Sequence, residues 1–373
     1  MAKRTNTKPP DLADIHQVLR PPAEELYQQE LAALVAQDDR HRPPQWRMSP
    51  QAVRTYLMGG TLPDGTIITP KYIGQPRIIE AAIATLLTDR ALLLIGVPGT
   101  AKTWVAEHLA AAISGNSTRL IQGTSGLAEE ALRYSWNYAR LLQDGPVQEA
   151  LVPSPVYRAM EDGAIVRIEE LTRIPSDVQD SLITILSEKI LPVPELNTRV
   201  QALPGFNLIA TANDRDRGIN DLSSALRRRF NTVVMPMPAT LKEEVRIVQD
   251  RVRADFLKTM KEEIPLPIHE IERLVILFRE LRQGRTEDQK EKLRIPSSTL
   301  SAAEAISVVN QGLAMSRYFG SGTLTADDLA PGIHQAVIKD PSTDTEIWKE
   351  YLDTVIKGRK EWDDLYQACR KFS

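Results

Sequence analysis

The sequence predicts an α/β core built on a doubly wound parallel sheet, followed by an all-helical region. Three observations carry this reading. Short apolar runs of strand length recur at 91–95, 164–168, 206–212 and 232–235. Helical patterns separate them, and strands that alternate with helices imply parallel pairing. From Thr240 onward strand signals stop, and amphipathic helical repeats such as Ile271, Leu274, Val275, Phe278 and Leu281 remain.

The 373 residues suffice for two or three domains, and 42% hydrophobic with 25% charged residues is an ordinary globular balance. A net charge of −3 leaves no whole-chain field to draw the protein onto nucleic acid or an anionic membrane. The single cysteine, Cys369, excludes an intramolecular disulfide and has no metal-site companions, which suits a reducing compartment. The longest apolar run is about seven residues against the ~20 of a membrane span. Lys3 and Arg4 have no apolar stretch behind them, so a cytoplasmic location is expected.

In chain order, residues 1–48 form an extension rich in proline and charge, with a helix expected at 23–37. Composition leaves open whether it docks on the core or on a partner. A short helix follows from Ser49 to Gly59-Gly60, and Asp64-Gly65 marks a turn. Tyr72-Ile73-Gly74-Gln75-Pro76 leads into a helix through Leu87. After the strand at 91–95 comes a helical pattern carrying Val105, Leu109 and Ile113, then a short strand at 119–121. A helix is expected at 127–138. The segments 139–142 and 147–152 flank Asp144-Gly145 and read either as a hairpin or as an irregular loop. A helix at 176–189 precedes a proline-edged hairpin at 190–202. Another helix at 221–230 carries Arg227-Arg228-Arg229. Beyond Thr240, helices are expected at 241–260, 268–283, 297–318, 325–338 and 344–371. This divides the chain into an extension at 1–48, an α/β core at 49–238 and a helical region at 239–373.

The core is organised around Gly96-Val-Pro-Gly-Thr-Ala-Lys-Thr103. Strand, glycine-bearing turn, Lys-Thr and helix make a phosphate-binding loop, with loop amides and a helix N-terminus forming the anion site. Lys102 would reach the β- and γ-phosphates, and Thr103 would hold Mg²⁺. Ala101 stands where glycine is usual, as the least demanding replacement. Hydrolysis also needs a metal-side carboxylate, a base for water and positive charge at the γ-phosphate. Glu169 and Glu170 end an apolar strand and suit the first two roles, Glu169 as metal ligand and Glu170 as base. Asn213 ends the next strand, where an amide can bond the attacking water or simply terminate the strand. Arg167 sits inside a strand expected to be apolar on both faces, and pairing with Glu169, pairing with another carboxylate and a subunit boundary are all open. Three consecutive arginines on one helix point about 100° apart and cannot all enter one site.

These motifs closely resemble the MoxR-type AAA+ ATPases of the helix-2-insert clade. Gly96 to Thr103 resembles the Walker A loop of that branch, where alanine also replaces the last glycine. Glu169-Glu-Leu-Thr-Arg-Ile-Pro175 resembles its Walker B segment, Ala-Thr-Ala-Asn213 its sensor 1, and Arg-Arg-Phe230 its arginine finger. The resemblance covers about 70 to 340. It selects Arg229 as the finger and the segment around Ile73 and Gly74 as the contact to adenine, and it sets Val97, Pro98, Gly99, Thr100, Ala101, Lys102, Thr103 and Trp104 on the nucleotide. The possible hairpins near 139–152 and 190–202 fall where this clade carries its inserts. Two departures stand out: Glu169 replaces aspartate, and Ile295-Pro-Ser-Ser-Thr-Leu300 has Thr299 where a sensor 2 arginine is usual, with Arg294 nearby.

The resemblance implies a homo-oligomer, a hexamer, that uses ATP and Mg²⁺ to remodel or mature a protein partner. A von Willebrand A domain protein is the implied companion. Two other classes stay in view: a nucleotide-dependent switch or scaffold with little hydrolysis, and a nucleic-acid motor, which the near-neutral charge disfavours. Trp348, Tyr351, Trp362 and Tyr366, spaced along a helix, read as core.

Overall fold

The computed structural model describes residues 19–213, 222–260 and 266–372. Lys3, Arg4 and Asp221, at the start of the helix expected at 221–230, lie outside them. The chain divides into two compact units, one running to Met235 and one from Pro236, with Pro98–Thr100 grouping with the second.

The N-terminal segment is part of the first unit. Helices α1 (Ala23–Leu26) and α2 (Gln28–Gln37) bury Leu31 and Leu34. Trp46 and Met48 join them in one cluster with Tyr56, Ile79, Leu92 and Val105. The extension therefore docks on the core. Helix α3 (Pro50–Met58) starts where Ser49 accepts from the Ala52 amide, and Asp38 in turn accepts from the Ser49 amide and hydroxyl. Strands β1 (Gly60–Thr61) and β2 (Ile67–Ile68) form a small hairpin around the Asp64-Gly65 turn. Lys71 then fixes the next segment: its buried ammonium donates to Glu30 of α2 at 2.7 Å and lies over the Tyr27 and Tyr56 rings. Helix α4 (Pro76–Leu86) follows.

Strand β3 (Ala91–Gly96), helix α5 (Lys102–Ser114) and strand β4 (Leu120–Gln122) open the main sheet. An insert comes next: strand β5 (Tyr134–Trp136), helix α6 (Tyr138–Asp144) and strand β6 (Leu151–Pro153), with β5 and β6 antiparallel. Helix α7 (Pro155–Asp162) returns to strand β7 (Ile165–Glu169). Helix α8 (Ser176–Glu188) leads into the hairpin of β8 (Ile190–Val193) and β9 (Thr198–Gln201), then β10 (Asn207–Asn213). Helix α9 (Ser224–Arg227) and strand β11 (Phe230–Val234) complete the unit.

The sheet has five parallel strands in the order β11-β3-β10-β7-β4. Alternation along each strand splits its side chains between two faces. Leu92, Leu94, Ile165 and Ile209 pack on the face of α4 and α5. Leu93, Val166, Ile168, Leu208 and Ala210 pack on the other, against α8 and the insert. This is the doubly wound arrangement, and its ligand sites fall at the carboxyl ends of the strands.

Three expectations in this unit change. The helix expected at 127–138 is a 3₁₀ turn at Glu129–Ala131 followed by β5. Residues 139–142 are helical: Asn137 caps α6 by accepting from the Arg140 amide, and Gly145, at φ 77, ends it. The Asp144-Gly145 pair is thus a helix stop inside the hairpin. The helix expected at 221–230 is helical only to Arg227, because Arg228 and Arg229 turn to feed β11.

The two inserts are joined. Arg133 donates to the Pro192 carbonyl at 2.9 Å, and the Tyr134 hydroxyl donates to Glu195 at 2.7 Å. Burial, with Glu195 beside it, pushes the Tyr134 hydroxyl up to about 12.

The second unit is helical: α10 (Leu241–Met260), α11 (Ile268–Gln283), α12 (Ala302–Phe319), α13 (Ala326–Val337), α14 (Pro341–Thr354) and α15 (Asp363–Arg370). Trp348, Tyr351 and Trp362 are buried in its core, and Tyr366 packs against it. Buried Glu244 pairs with Arg279 and Arg282, and buried Glu280 accepts from the Tyr351 hydroxyl. The helix expected at 297–318 begins later, at Ala302, because Ser301 and Glu304 form a capping box. The expected helix at 344–371 is two helices, parted by 3₁₀ turns at Ile356–Gly358 and Lys360–Trp362. Among the described residues, no helix is long and apolar enough to cross a membrane.

Candidate nucleotide site

The loop after β3 turns through Gly99 at φ 82 and Ala101 at φ 62 before α5 begins at Lys102. Ala101 is exposed and left-handed, a conformation that costs an L-residue roughly 1–2 kcal/mol. Alanine is therefore a strained replacement for glycine here. Lys102 is buried, and its ammonium donates to the Gly96 and Val97 carbonyls at 2.9 Å each. Its charge is held within the loop that would receive phosphate.

Parity along β7 and β10 builds the carboxylate side. Arg167 and Glu169 share the face of Ile165, and Thr211 and Asn213 share that of Ile209. Glu169 Oε2 accepts from the Thr103 hydroxyl at 2.7 Å and from Thr211 at 2.6 Å. Its Oε1 accepts from Arg167 at 3.1 Å, which settles the partner of that strand arginine. Burial pulls the Arg167 guanidinium below its ordinary value, and Glu169 opposes that pull. Glu170 sits in the left-handed region at φ 55 and aims its carboxylate at Asn213, whose amide lies 3.0 and 2.9 Å from the two oxygens. Arg173 lies 3.7 Å from the same carboxylate.

Lys102, Thr103, Glu169, Glu170 and Asn213 thus gather at the ends of the neighbouring strands β3, β10 and β7. Trp104 joins the Ile73–Gly74 segment to this cluster, its indole donating to the Lys71 carbonyl at 2.8 Å. Gly74 has φ 154, and a Cβ there would meet the Tyr72 hydroxyl at 2.7 Å.

Arg229 stands apart. Its carbonyl accepts from the Ala91 amide, at the opposite end of β3 from the loop. The six-residue strand spans about 17 Å at ~3.3 Å per residue. An extended arginine reaches roughly 7 Å from its Cα. Its guanidinium is moreover bonded to Ser187 and the Ala225 carbonyl. Arg229 cannot serve the phosphate loop of its own chain. Arg294, beside the Ile295–Leu300 segment, lies against Glu346 and Glu350 of α14.

Residues 91–230 match the family model of the AAA domain (dynein-related subfamily), and 242–371 match that of the YehL-like AAA+ ATPase C-terminal domain. The chain is 37% identical to the YehL protein of Escherichia coli (strain K12) over 355 residues, 94% of this chain and 96% of that protein. It belongs to the YehL family of AAA+ ATPases. The MoxR-like character read from the motifs stands with that membership. Protein NorQ of Paracoccus denitrificans is 27% identical over 184 residues, 48% of this chain and 65% of that protein. Among solved structures, NtrX of Brucella abortus in complex with ADP aligns with a TM-score of 0.48 at 14% identity, over 81% of this chain and 69% of that one.

Within this AAA+ frame the donor set fits magnesium. Among the described residues, no three His, Cys, Asp or Glu side chains gather to hold a metal by themselves. Thr103 and Glu169 instead present two hard oxygens, and Mg²⁺ takes one or two such protein ligands together with phosphates and water. Sequence reasoning missed two residues here. Thr211 bonds Glu169 and accepts from the Glu170 amide, and its only signal was a lone hydroxyl two places before Asn213. At Gly123 a Cβ would lie 2.3 Å from the Glu170 carbonyl oxygen and 2.8 Å from that of Glu169.

Proposed function

We propose that the protein hydrolyses Mg²⁺-ATP as a homo-oligomer, a hexamer in this reading, and couples turnover to remodelling or chaperone-like maturation of a protein partner. A von Willebrand A domain protein is the companion expected from the MoxR resemblance. The nucleotide-binding core would span 49–238, and the helical lid with the C-terminal helices 239–373. The observation that supports this best is the convergence of Lys102, Thr103, Glu169, Glu170 and Asn213 at the carboxyl ends of adjacent strands.

In this reading Lys102 exchanges the Gly96 and Val97 carbonyls for the β- and γ-phosphates. Thr103, with Glu169 behind it, would hold Mg²⁺, which would supply charge neutralisation at the phosphates. Glu170 orients the attacking water and takes its proton, and Asn213 holds Glu170 and the water in line. Ile73, Gly74 and Trp104 flank adenine. Arg229 enters from the neighbouring subunit, where such an arginine contributes ~10³ or more to the rate. The test is Mg²⁺-dependent ATPase activity, with Lys102→Ala and Glu170→Gln each lowering it by orders of magnitude. Activity unchanged in both sinks the proposal.

The arginine that offsets the Glu169 charge favours a second reading, a nucleotide-dependent switch that hydrolyses little. A single-turnover measurement on the assembled oligomer separates the two.

A further inference from the structure

We propose that Arg167 is a positioning residue for the magnesium side of the site, clamping the long Glu169 carboxylate so that one oxygen faces Thr103 and offsetting its charge. The inference rests on the nucleotide reading above and goes beyond it to a residue outside the recognised motifs.

Arg167 lies inside β7, between β4 and β10, and its side chain is 6% exposed beside a Glu169 side chain at 4%. A charge in such a strand is costly unless paired and hydrogen-bonded. The guanidinium places two N–H groups on the Ser117 carbonyl, at 3.1 and 2.9 Å, and a third on Glu169 Oε1. Ser117 closely follows α5, the helix whose first turn carries Thr103. The clamp is therefore braced on the segment that leaves α5, the helix whose first turn carries the metal-side hydroxyl.

The two carboxylate oxygens have different tasks. Oε1 takes the arginine, while Oε2 accepts from Thr103 and Thr211. Glutamate has one more rotatable bond than the usual aspartate, and the Arg167 contact restrains it. A purely structural pair would be indifferent to events at Oε2. This pair shares its carboxylate with the Thr103 hydroxyl. Partners that orient a metal's ligands typically govern metal affinity by roughly 10–100-fold.

The experiment is binding of N-methylanthraniloyl-ADP to the full chain, titrated with Mg²⁺ and repeated in EDTA. Arg167→Met raises the Mg²⁺ midpoint by roughly 10–100-fold and leaves affinity in EDTA unchanged. Arg167→Lys falls between. The double variant Arg167→Met with Glu169→Asp, which removes the arginine and also the extra length it restrains, lies closer to wild type than the product of the single effects. An unmoved midpoint in Arg167→Met, or single effects that simply multiply, overturns the clamp. If Arg167→Met does not fold, Arg167→Lys and Glu169→Asp carry the same test, and unmoved midpoints in both overturn it equally. A wild-type chain that binds no nucleotide defeats the nucleotide reading itself, whereas binding with the same Mg²⁺ dependence in every variant defeats the clamp alone.

Discussion

The position of Arg229 leads to a quantitative mixing experiment. Its backbone is bonded to Ala91, and roughly 17 Å of strand separates it from the loop, more than twice the ~7 Å an arginine extends. If it assists hydrolysis, it does so in a neighbouring subunit. Each site then draws Glu170 from one chain and Arg229 from the next. Arg229→Ala alone lowers the ATPase rate by about 10³, equivalent to ~4 kcal/mol of transition-state stabilisation. Glu170→Gln alone lowers it by orders of magnitude. Equal amounts of the two variants, allowed to exchange subunits, leave both residues intact at about a quarter of the sites, whatever the size of the ring. The assay is steady-state phosphate release, with mixed assemblies verified by native mass spectrometry. The mixture is expected to recover about a quarter of wild-type activity from two nearly inactive parents. Recovery no better than the parents, in verified mixed rings, refutes the argument, because within one chain the two residues never coexist in such a mixture.

Other predictions are more local. Ala101→Gly relieves the left-handed alanine, and the loosened unfolded chain offsets part of the gain. Urea denaturation should show stability higher by up to about 1 kcal/mol, with nucleotide affinity retained. Gly123→Ala drives a methyl into the Glu169 and Glu170 carbonyls. It should cost ~1–3 kcal/mol by the same measurement, and the ATPase assay should show a rate reduced more than about tenfold through displaced carboxylates. The Cys369 thiol is buried and pushed up to about 12. At pH 8 its thiolate fraction is therefore roughly a thousandfold below that of an ordinary thiol. A disulfide reagent should label it only as fast as the C-terminal helices open, and rapid labelling of the folded protein contradicts the packing.

The sheet was legible because each strand is a short apolar run closed by a polar residue, and both Glu169 and Asn213 emerged where those runs end. The Lys-Thr loop was legible for the same reason, as a break between a strand and a helix. Connections were harder. Asp144-Gly145 carries the chemistry of a hairpin turn, yet the same glycine stops a helix when Asn137 starts one eight residues earlier. Arg227 to Arg229 look helical by composition, but the helix stops at Arg227 and the last two turn into β11, which starts at Phe230. Thr211 was hidden because its bonds to Glu169 and Glu170 depend on register between strands distant in sequence. Periodicity reports which face a side chain occupies and is silent on what stands opposite it. The Arg167–Glu169 pair was one of several openings until β7 placed both on the α5 face.

The join between the two inserts has a mechanical consequence. Glu170 is followed directly by the 3₁₀ turn Leu171–Arg173 and then by α8, and only Lys189 separates α8 from β8. A shift of the carboxylate end of β7 is therefore carried along a stiff rod into the second hairpin. Through Glu195 and the Pro192 carbonyl it passes to the first hairpin as well. The tip of the second hairpin and the base of the first form one lever arm, so a displacement of the β7 end would move both together.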